Sequence, residues 1–302
     1  MKMKQIIWIS LLSVFGFESF AQDYPYHYYT HINPVVYNPS LVSAEDKISA
    51  DIMTYQLWAG GFKPLCDYSL SFTFSPGLMK KSRSNYYQAH YGLGATVLRD
   101  KIGPFNHNIL QLIYAYHLPV ADRVLLSFGI NMLAENLAID VNSLNPLQNE
   151  DPRLLTGKNQ SMLFDGGFGT SLRGEKFRVS FSVQNLAPGT FYFNESTACE
   201  FKSYRKFYLT GLYRFDLSNG IYIQPNLTLR NNIYKEPAFD SFIDCNLVLC
   251  SFGVGYRSEQ TVFLFATFPF YDFIFTYTSE NPIISNHMIG NGHTFSLGWK
   301  IK

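Results

Sequence analysis

Alternation between apolar and polar residues, repeated from Ile48 to the C-terminus, is the feature that most restricts how this chain can fold. In "FRVSFSVQ", from Phe177 to Gln184, every second residue is apolar and the residues between are polar or basic. The segments "IYIQPNLTLR" and "HTFSLGWKI" alternate in the same way. Because successive side chains of a strand point to opposite faces, each segment is predicted to be a β-strand with one apolar and one polar face.

Turn-forming residues divide the rest of the sequence into further segments of this kind. Clusters of Gly, Pro, Asn, Asp and Ser bound runs of about eight to twelve residues, which is typical of consecutive antiparallel strands. The pattern predicts about fourteen strands, and an even number allows the first strand to pair antiparallel with the last. The predicted strands begin at Ile48, Asp67, Tyr87, Asn108, Val124, Met162, Arg178, Lys206, Ile221, Ser241, Ser251, Thr261, Tyr271 and His293.

The positions of the aromatic residues favour a membrane barrel. Alternation alone leaves a soluble secreted β-sandwich open, because a sandwich also has one apolar and one polar face. Aromatic residues make up 17% of the chain, and in "LIYAYHL" and "FYDFIFTYT" they lie near segment ends on the same face as aliphatic residues. Outer-membrane barrels place such rings at both membrane interfaces. We therefore predict an all-β fold, a transmembrane antiparallel β-barrel of about 14 strands in contact with outer-membrane lipid.

The N-terminal sequence predicts that the chain is divided into three parts. Lys2 and Lys4 precede an apolar run that ends in small residues at Ala21, which is the layout of a secretory signal peptide. Residues 1–21 are therefore predicted to be a signal peptide. Residues 22–46 are predicted to form an N-terminal periplasmic segment, and residues 47–302 the outer-membrane β-barrel.

Two Asn-Pro steps, Asn33-Pro34 and Asn38-Pro39, stand in the N-terminal segment. Proline fixes φ, removes a backbone donor and keeps the preceding residue out of the helical region. The segment is therefore predicted to be stiff and extended and unable to pair fully as a strand. Two interpretations remain open: the segment only leads the chain into the first strand, or it folds back as a plug or clasp at the periplasmic rim, held by its tyrosines.

Composition and motifs offer little support for chemistry at a site. The net charge of +1 gives no electrostatic reason to expect nucleic acid as a partner. The glycines of "GLGATV" and "DGGFGTS" do not complete a phosphate-binding pattern, so no cofactor is expected. His27 and His31 have a metal-like spacing without helical support, and the four cysteines are irregularly spaced, so neither a metal site nor a disulfide framework is expected. A hydrolase of this kind would need a serine, a histidine and a polar residue that orients the histidine. Because no sequence signature identifies such a set, we expect that the protein is not an enzyme.

An ordered series of short motifs resembles the PorP/SprF family, outer-membrane proteins of the type IX secretion and gliding machinery of Bacteroidota. "YNPSLVSA" from Tyr37 resembles the family's N-terminal Asn-Pro motif, "YQLWAGGFKP" from Tyr55 its Gln-x-Trp segment, and "GLGATVLRDKIGP" from Gly92 its Gly-x-Gly and Asp-x-x-Gly-Pro segment. Tyr55 stands where the family often has arginine. The series continues in order with "YAYHLPVADRVLLSFGI", "VSFSVQNL", "YLTGLYRF", "VGYRSEQTV" and "NGHTFSLGWKI".

The resemblance implies a role and a set of positions. It implies a barrel that anchors or receives a type IX-secreted surface adhesin through the adhesin's C-terminal signal domain, supporting its secretion and surface attachment, with a periplasmic peptidoglycan-linked protein as a possible second partner. It marks family-motif positions with a structural or partner-binding role: Asn38, Pro39, Gln56, Trp58, Gly92, Gly94, Asp100, Gly103 and Pro104.

Two long polar connections are the predicted contact regions. Residues Asn136 to Gln160 and Pro188 to Ser203 interrupt the rhythm of short turns, and long loops of outer-membrane barrels are usually extracellular. The alternative function is an outer-membrane channel or small-solute porin. The basic residues that would line its lumen are Arg178, Arg214, Arg230 and Lys300.

Overall fold

The structure, a computed structural model, describes residues 31–58, 65–79, 87–140, 160–193, 200–232, 237–258, 260–283 and 290–301. The predicted signal peptide, His27 and Cys199 lie outside the described residues. No helix in this part of the chain is long and apolar enough to cross a membrane.

Fourteen antiparallel strands close into a barrel, which confirms the predicted fold and strand number. The first strand pairs with the last, from Ile48 opposite Ile301 to Trp58 opposite Asn291. The barrel strands are β1 (Ile48–Trp58), β2 (Leu65–Phe74), β3 (His90–Ile102), β4 (Phe105–Ala121), β5 (Val124–Ile139), β6 (Gln160–Arg173), β7 (Phe177–Gln184), β10 (Lys206–Tyr213) with its continuation β11 (Phe215–Ser218), β12 (Ile221–Asn232), β13 (Ala238–Asn246), β14 (Ser251–Arg257), β15 (Thr261–Phe270), β16 (Phe273–Pro282) and β17 (Asn291–Ile301). Strands β8 (Thr190–Tyr192) and β9 (Glu200–Lys202) form a separate hairpin.

Burial in the strands is the reverse of that in a soluble protein. In β7, Val179 and Phe181 are 48% and 39% exposed, whereas Ser180 and Ser182 are buried. Most other barrel strands share this pattern, with large apolar side chains outside and polar side chains inside. The apolar faces predicted from the alternation therefore point towards lipid, as in outer-membrane barrels.

The two ends of the barrel differ in their connections. At one end, which we call the short-turn end, β4–β5, β6–β7, β11–β12, β13–β14 and β15–β16 are joined by two to four residues. The opposite, long-loop end carries both long connections predicted from the sequence. The first of these starts later than predicted, because β5 continues to Ile139, and residues 141–159 lie outside the described residues. The second contains the β8–β9 hairpin.

The apolar core lies inside the barrel and combines the wall with the N-terminal segment. Ile32 and Val36 of that segment pack with inward-facing apolar side chains of six strands. The wall members of this cluster are Met53, Leu98, Ile109, Leu133, Phe242, Phe263 and Phe265.

Candidate functional site

Residues 31–46, which we call the plug, occupy the interior of the barrel. Pro34 and Pro39 each begin a 3-10 turn, Pro34–Val36 and Pro39–Leu41, a position that suits proline because its missing N–H would have no partner there. The second turn contacts β4, β5 and β6. The segment is thus folded into turns and not extended, and it lies within the barrel, not at its rim.

Asn38 fixes both the turn and its contact with the wall. Its Oδ1 accepts hydrogen bonds from the backbone N–H and the hydroxyl of Ser40, at 2.9 and 2.7 Å. Its Nδ2 donates to the carbonyl oxygens of Phe181 and Thr170, at 3.2 and 3.4 Å. One amide therefore caps the turn and binds two neighbouring strands, a combination that serine or aspartate would not reproduce, because neither has an amide N–H to donate.

Other wall side chains hold the plug by its backbone carbonyls. The Ser182 hydroxyl donates to the Tyr37 carbonyl at 2.7 Å. His117 Nε2 lies 2.8 Å from the Val42 carbonyl oxygen, which sets that ring nitrogen as the donor. Because buried carbonyls need donors, these bonds allow irregular backbone to lie inside a strand-built wall.

Small residues in the wall make room for the plug. A side chain at Gly129 would collide with the backbone of Pro39, and one at Gly169 would collide with Asn38. A Cβ at Gly92 would lie 2.5 Å from the Val42 carbonyl oxygen, and one at Gly94 would lie in closer than usual contact with Val42. These glycines thus allow the backbones of the plug and the wall to approach closely, and they do not form a phosphate-binding loop.

The inner half of the plug is apolar and aromatic. His31 stacks on Phe265 with ring centroids 4.2 Å apart, and Tyr37 packs edge-on against Tyr208 at 5.2 Å. Burial, with a smaller contribution from the Arg257 charge, lowers the pKa of His31 to about 3. His31 is therefore neutral at physiological pH and behaves as an aromatic ring of the core. The described part of the chain contains no cluster of three residues able to hold a metal ion.

Four of the predicted motif positions lie where the plug meets the wall: Asn38, Pro39, Gly92 and Gly94. The structure does not bring the other five to this contact. Gln56 and Trp58 lie in the last part of β1, towards the long-loop end. Asp100 is near the same end, buried, in β3 opposite Asp67.

Gly103 and Pro104 form the two-residue turn between β3 and β4. Gly103 has a φ of 57°, and glycine at the first central position is the pattern of a type II′ hairpin turn. A Cβ at Gly103 would meet nothing within 4 Å. The requirement for glycine is therefore conformational, and this part of the motif shapes a hairpin.

Tyr55, which replaces the arginine common in the family, is buried inside the barrel. Its hydroxyl lies 3.1 Å from Glu280 Oε2, and Arg257 Nη1 lies 3.0 Å from Glu280 Oε1. A guanidinium from another strand thus faces this carboxylate, so the chain keeps a positive charge near Glu280 without arginine at position 55.

A second feature of the interior is a cavity at the long-loop end, which we call the outer cavity. It has a volume of about 240 Å³ and lies between the inner faces of β3, β4 and β5 and the β8–β9 hairpin. Phe105 of the wall meets Phe201 of the hairpin at 5.6 Å, and His107 meets Phe191 at 6.0 Å. The hairpin is therefore packed onto the barrel and forms a fixed side of the cavity.

Sequence reasoning missed the wall partners of the plug and the whole outer cavity. Gly129, Gly169 and His117 carry no local pattern that distinguishes them from other strand residues, because their importance comes from the distant segment that they contact. The cavity residues belong to strands and to a loop far apart in the chain. The only local signal was the length of the loop that contains the hairpin.

Comparisons with known proteins agree with this architecture. The family model described as "Type IX secretion system membrane protein PorP/SprF" matches residues 18–299. No curated protein sequence matches the chain.

The similar solved structures are outer-membrane barrels. The Ralstonia pickettii toluene transporter TbuX is 8% identical, with a TM-score of 0.53 over 90% of this chain and 94% of its own. The monoaromatic hydrocarbon channel CymD is 9% identical, with a TM-score of 0.52 over 90% and 93%. The Pseudomonas putida toluene transporter TodX is 8% identical, with a TM-score of 0.51 over 89% and 94%. At these identities the likeness shows the fold alone, an outer-membrane β-barrel.

The motif series predicted from the sequence and the match over nearly the whole chain agree, and the chain belongs to the PorP/SprF family of type IX secretion system membrane proteins.

Proposed function

We propose that this barrel is an outer-membrane anchor or receptor for a type IX-secreted surface adhesin. It binds the adhesin's C-terminal signal domain and supports secretion and surface attachment. The role is one of binding without catalysis. The observation that carries the proposal is the plug: a barrel whose interior is filled by its own chain is suited to present its loops to a protein partner and poorly suited to pass solutes.

The charges inside the barrel support the same conclusion. Of the basic residues that could line an anion path, Arg178 lies 3.3 Å from Glu45 of the plug. Arg230 donates two hydrogen bonds to Asp240, both at 3.0 Å. Both side chains are largely buried. Charges held in such pairs attract passing anions weakly, because their field is already compensated.

The long-loop end is the extracellular end by the usual arrangement of outer-membrane barrels. It carries both long connections, where binding residues are commonly found. The short-turn end then faces the periplasm, where a peptidoglycan-linked protein would bind.

The test is the amount of the adhesin on the cell surface. Deleting this protein should remove the adhesin encoded nearby from the surface, and re-expression should restore it. A pulldown of the detergent-solubilised barrel should recover the adhesin's C-terminal domain. An adhesin present at normal surface levels in the deletion strain contradicts the proposal.

Single-channel conductance separates the anchor from the porin. The intact barrel in a planar bilayer should conduct poorly, because the plug fills its interior. A stable open conductance from the intact, purified protein would favour the porin.

A further inference from the structure

Buried acceptor atoms face the outer cavity without donors. Glu135 is 2% exposed, and its Oε2 accepts a hydrogen bond from His107 Nε2 at 3.0 Å. Within the described part of the chain, Glu135 Oε1 has no hydrogen-bond partner. The same holds for Oδ1 of Asn185, which is 1% exposed and also lines the cavity. A buried oxygen without a donor loses the hydrogen bonds that water would give it, so this part of the cavity favours a group that brings N–H or O–H donors.

The rest of the cavity is predominantly apolar. Phe105, Phe191 and Phe201 supply aromatic surface, and Ile102 and Leu137 add aliphatic surface. A volume of about 240 Å³ holds a single ring or a short alkyl chain. Such a lining, with a few convergent polar groups, is typical of small-molecule sites.

We propose that the outer cavity binds a small amphiphile with an aromatic or aliphatic body and a head group that donates hydrogen bonds. The head group donates to Glu135 Oε1, and the body lies among the phenylalanine rings. An ammonium head is favoured over a neutral donor because it also meets the negative charge of the Glu135 carboxylate. This site goes beyond adhesin binding and can be present or absent independently of it.

Basic side chains at the same cavity define the competing possibility. Lys202 of the hairpin is exposed, and Lys206 of β10 is 8% exposed; both line the cavity. A ligand with a carboxylate head would use these ammonium groups and leave Glu135 Oε1 without a donor. The two hypotheses therefore predict opposite orders of affinity for an ammonium ligand and a carboxylate ligand of the same body.

The experiment compares two probes of the same body, 2-phenylethylamine and phenylacetate, on the full-length barrel in nanodiscs. Titration calorimetry should show saturable binding of 2-phenylethylamine at least about tenfold tighter than that of phenylacetate, since hydrogen bonds to charged groups are worth about 1.5–3 kcal/mol. Glu135→Ala should reduce this preference to about twofold or less.

Two further variants keep the test decisive. Phe201→Ala should weaken both probes equally, because it removes part of the apolar wall and leaves the acceptor. Glu175→Gln, on an exposed turn at the opposite end, should change neither affinity. Heat-modifiable migration on SDS gels checks that each variant is folded. No binding of 2-phenylethylamine, equal or tighter binding of phenylacetate, or an unchanged preference in a folded Glu135→Ala barrel would overturn the proposal.

Discussion

Single residues decide whether the plug fits. Gly129→Ala places a methyl group against the backbone of Pro39, and crowding of this kind typically costs about 1–3 kcal/mol. The plug should therefore be displaced, and amide hydrogens of residues 31–44 should exchange faster with deuterium, as measured by mass spectrometry of the detergent-solubilised protein.

A matched glycine provides the control. Gly211 lies in β10, and a Cβ there would meet nothing within 4 Å. Gly211→Ala should leave exchange in the plug unchanged. If both variants exchange alike, the close contact at Gly129 does not position the plug.

Protonation of His31 should weaken the plug at low pH. The pKa of His31 in the folded state, about 3, lies below the unfolded value of about 6.5. The unfolded state therefore binds a proton that the folded state does not, so stability is complete above about pH 6.5 and falls as the pH decreases towards 3. The loss for this one group approaches about 1.4 kcal/mol per pH unit within that window.

The measurement is the melting temperature of wild type and His31→Phe between pH 7 and 4. Phenylalanine keeps a ring against Phe265 and cannot take up a proton, so the wild type should lose more stability on acidification than the variant. The comparison isolates His31 from Glu280, whose carboxyl group also lies inside the barrel. Parallel pH profiles of the two proteins would contradict this assignment.

At the scale of elements, the β8–β9 hairpin should be separable from the barrel. Among the described strands, β8 and β9 pair with each other and with no barrel strand. Ser203 N donates to the Gly189 carbonyl at 2.9 Å, so the chain returns close to where it left the barrel. Replacing Thr190–Lys202 by a linker of about two residues should leave a folded barrel with normal heat-modifiable migration. Binding of 2-phenylethylamine should be lost, because Phe191 and Phe201 are removed. A barrel that no longer folds would show that the hairpin is needed for closure.

The elements also show how far the sequence could predict this fold. Each of the fourteen predicted strand starts falls on or within a few residues of a barrel strand, because alternation is set by the local requirement that one face meets lipid and the other the interior. Asn38 and Pro39 could be identified from their motif. Their contacts with Gly169 and Gly129 could not, because these glycines lie about 90 to 130 positions away in the sequence. No local periodicity records a contact of that kind. The outer cavity was missed for the same reason.

At the scale of the whole molecule, the short-turn end has two unlike halves. The β13–β14 and β15–β16 turns carry exposed apolar residues, with Leu249 81% and Tyr271 91% exposed. The β4–β5 and β6–β7 turns are charged, and Arg123 pairs with Glu175 between them. Apolar turn tips that continue a lipid-facing wall are favoured in the membrane interface, whereas paired charges are favoured in water. We therefore expect the barrel to sit with its β13–β16 side immersed more deeply in the membrane at this end.

Tryptophan depth measurements test this orientation. The background is the chain from residue 22 onwards, without the predicted signal peptide that contains Trp8, and with Trp58 and Trp299 replaced by phenylalanine. In it, Leu249→Trp in liposomes should be quenched strongly by brominated lipids, because the indole lies at acyl-chain or interface depth. Asp122→Trp, on the charged turn, is the matched control and should be quenched less than about half as much, since it projects into water. Equal, weak quenching at both positions would place both halves of the rim in water, and the apolar residues of the turns would then be exposed to a protein partner and not to lipid.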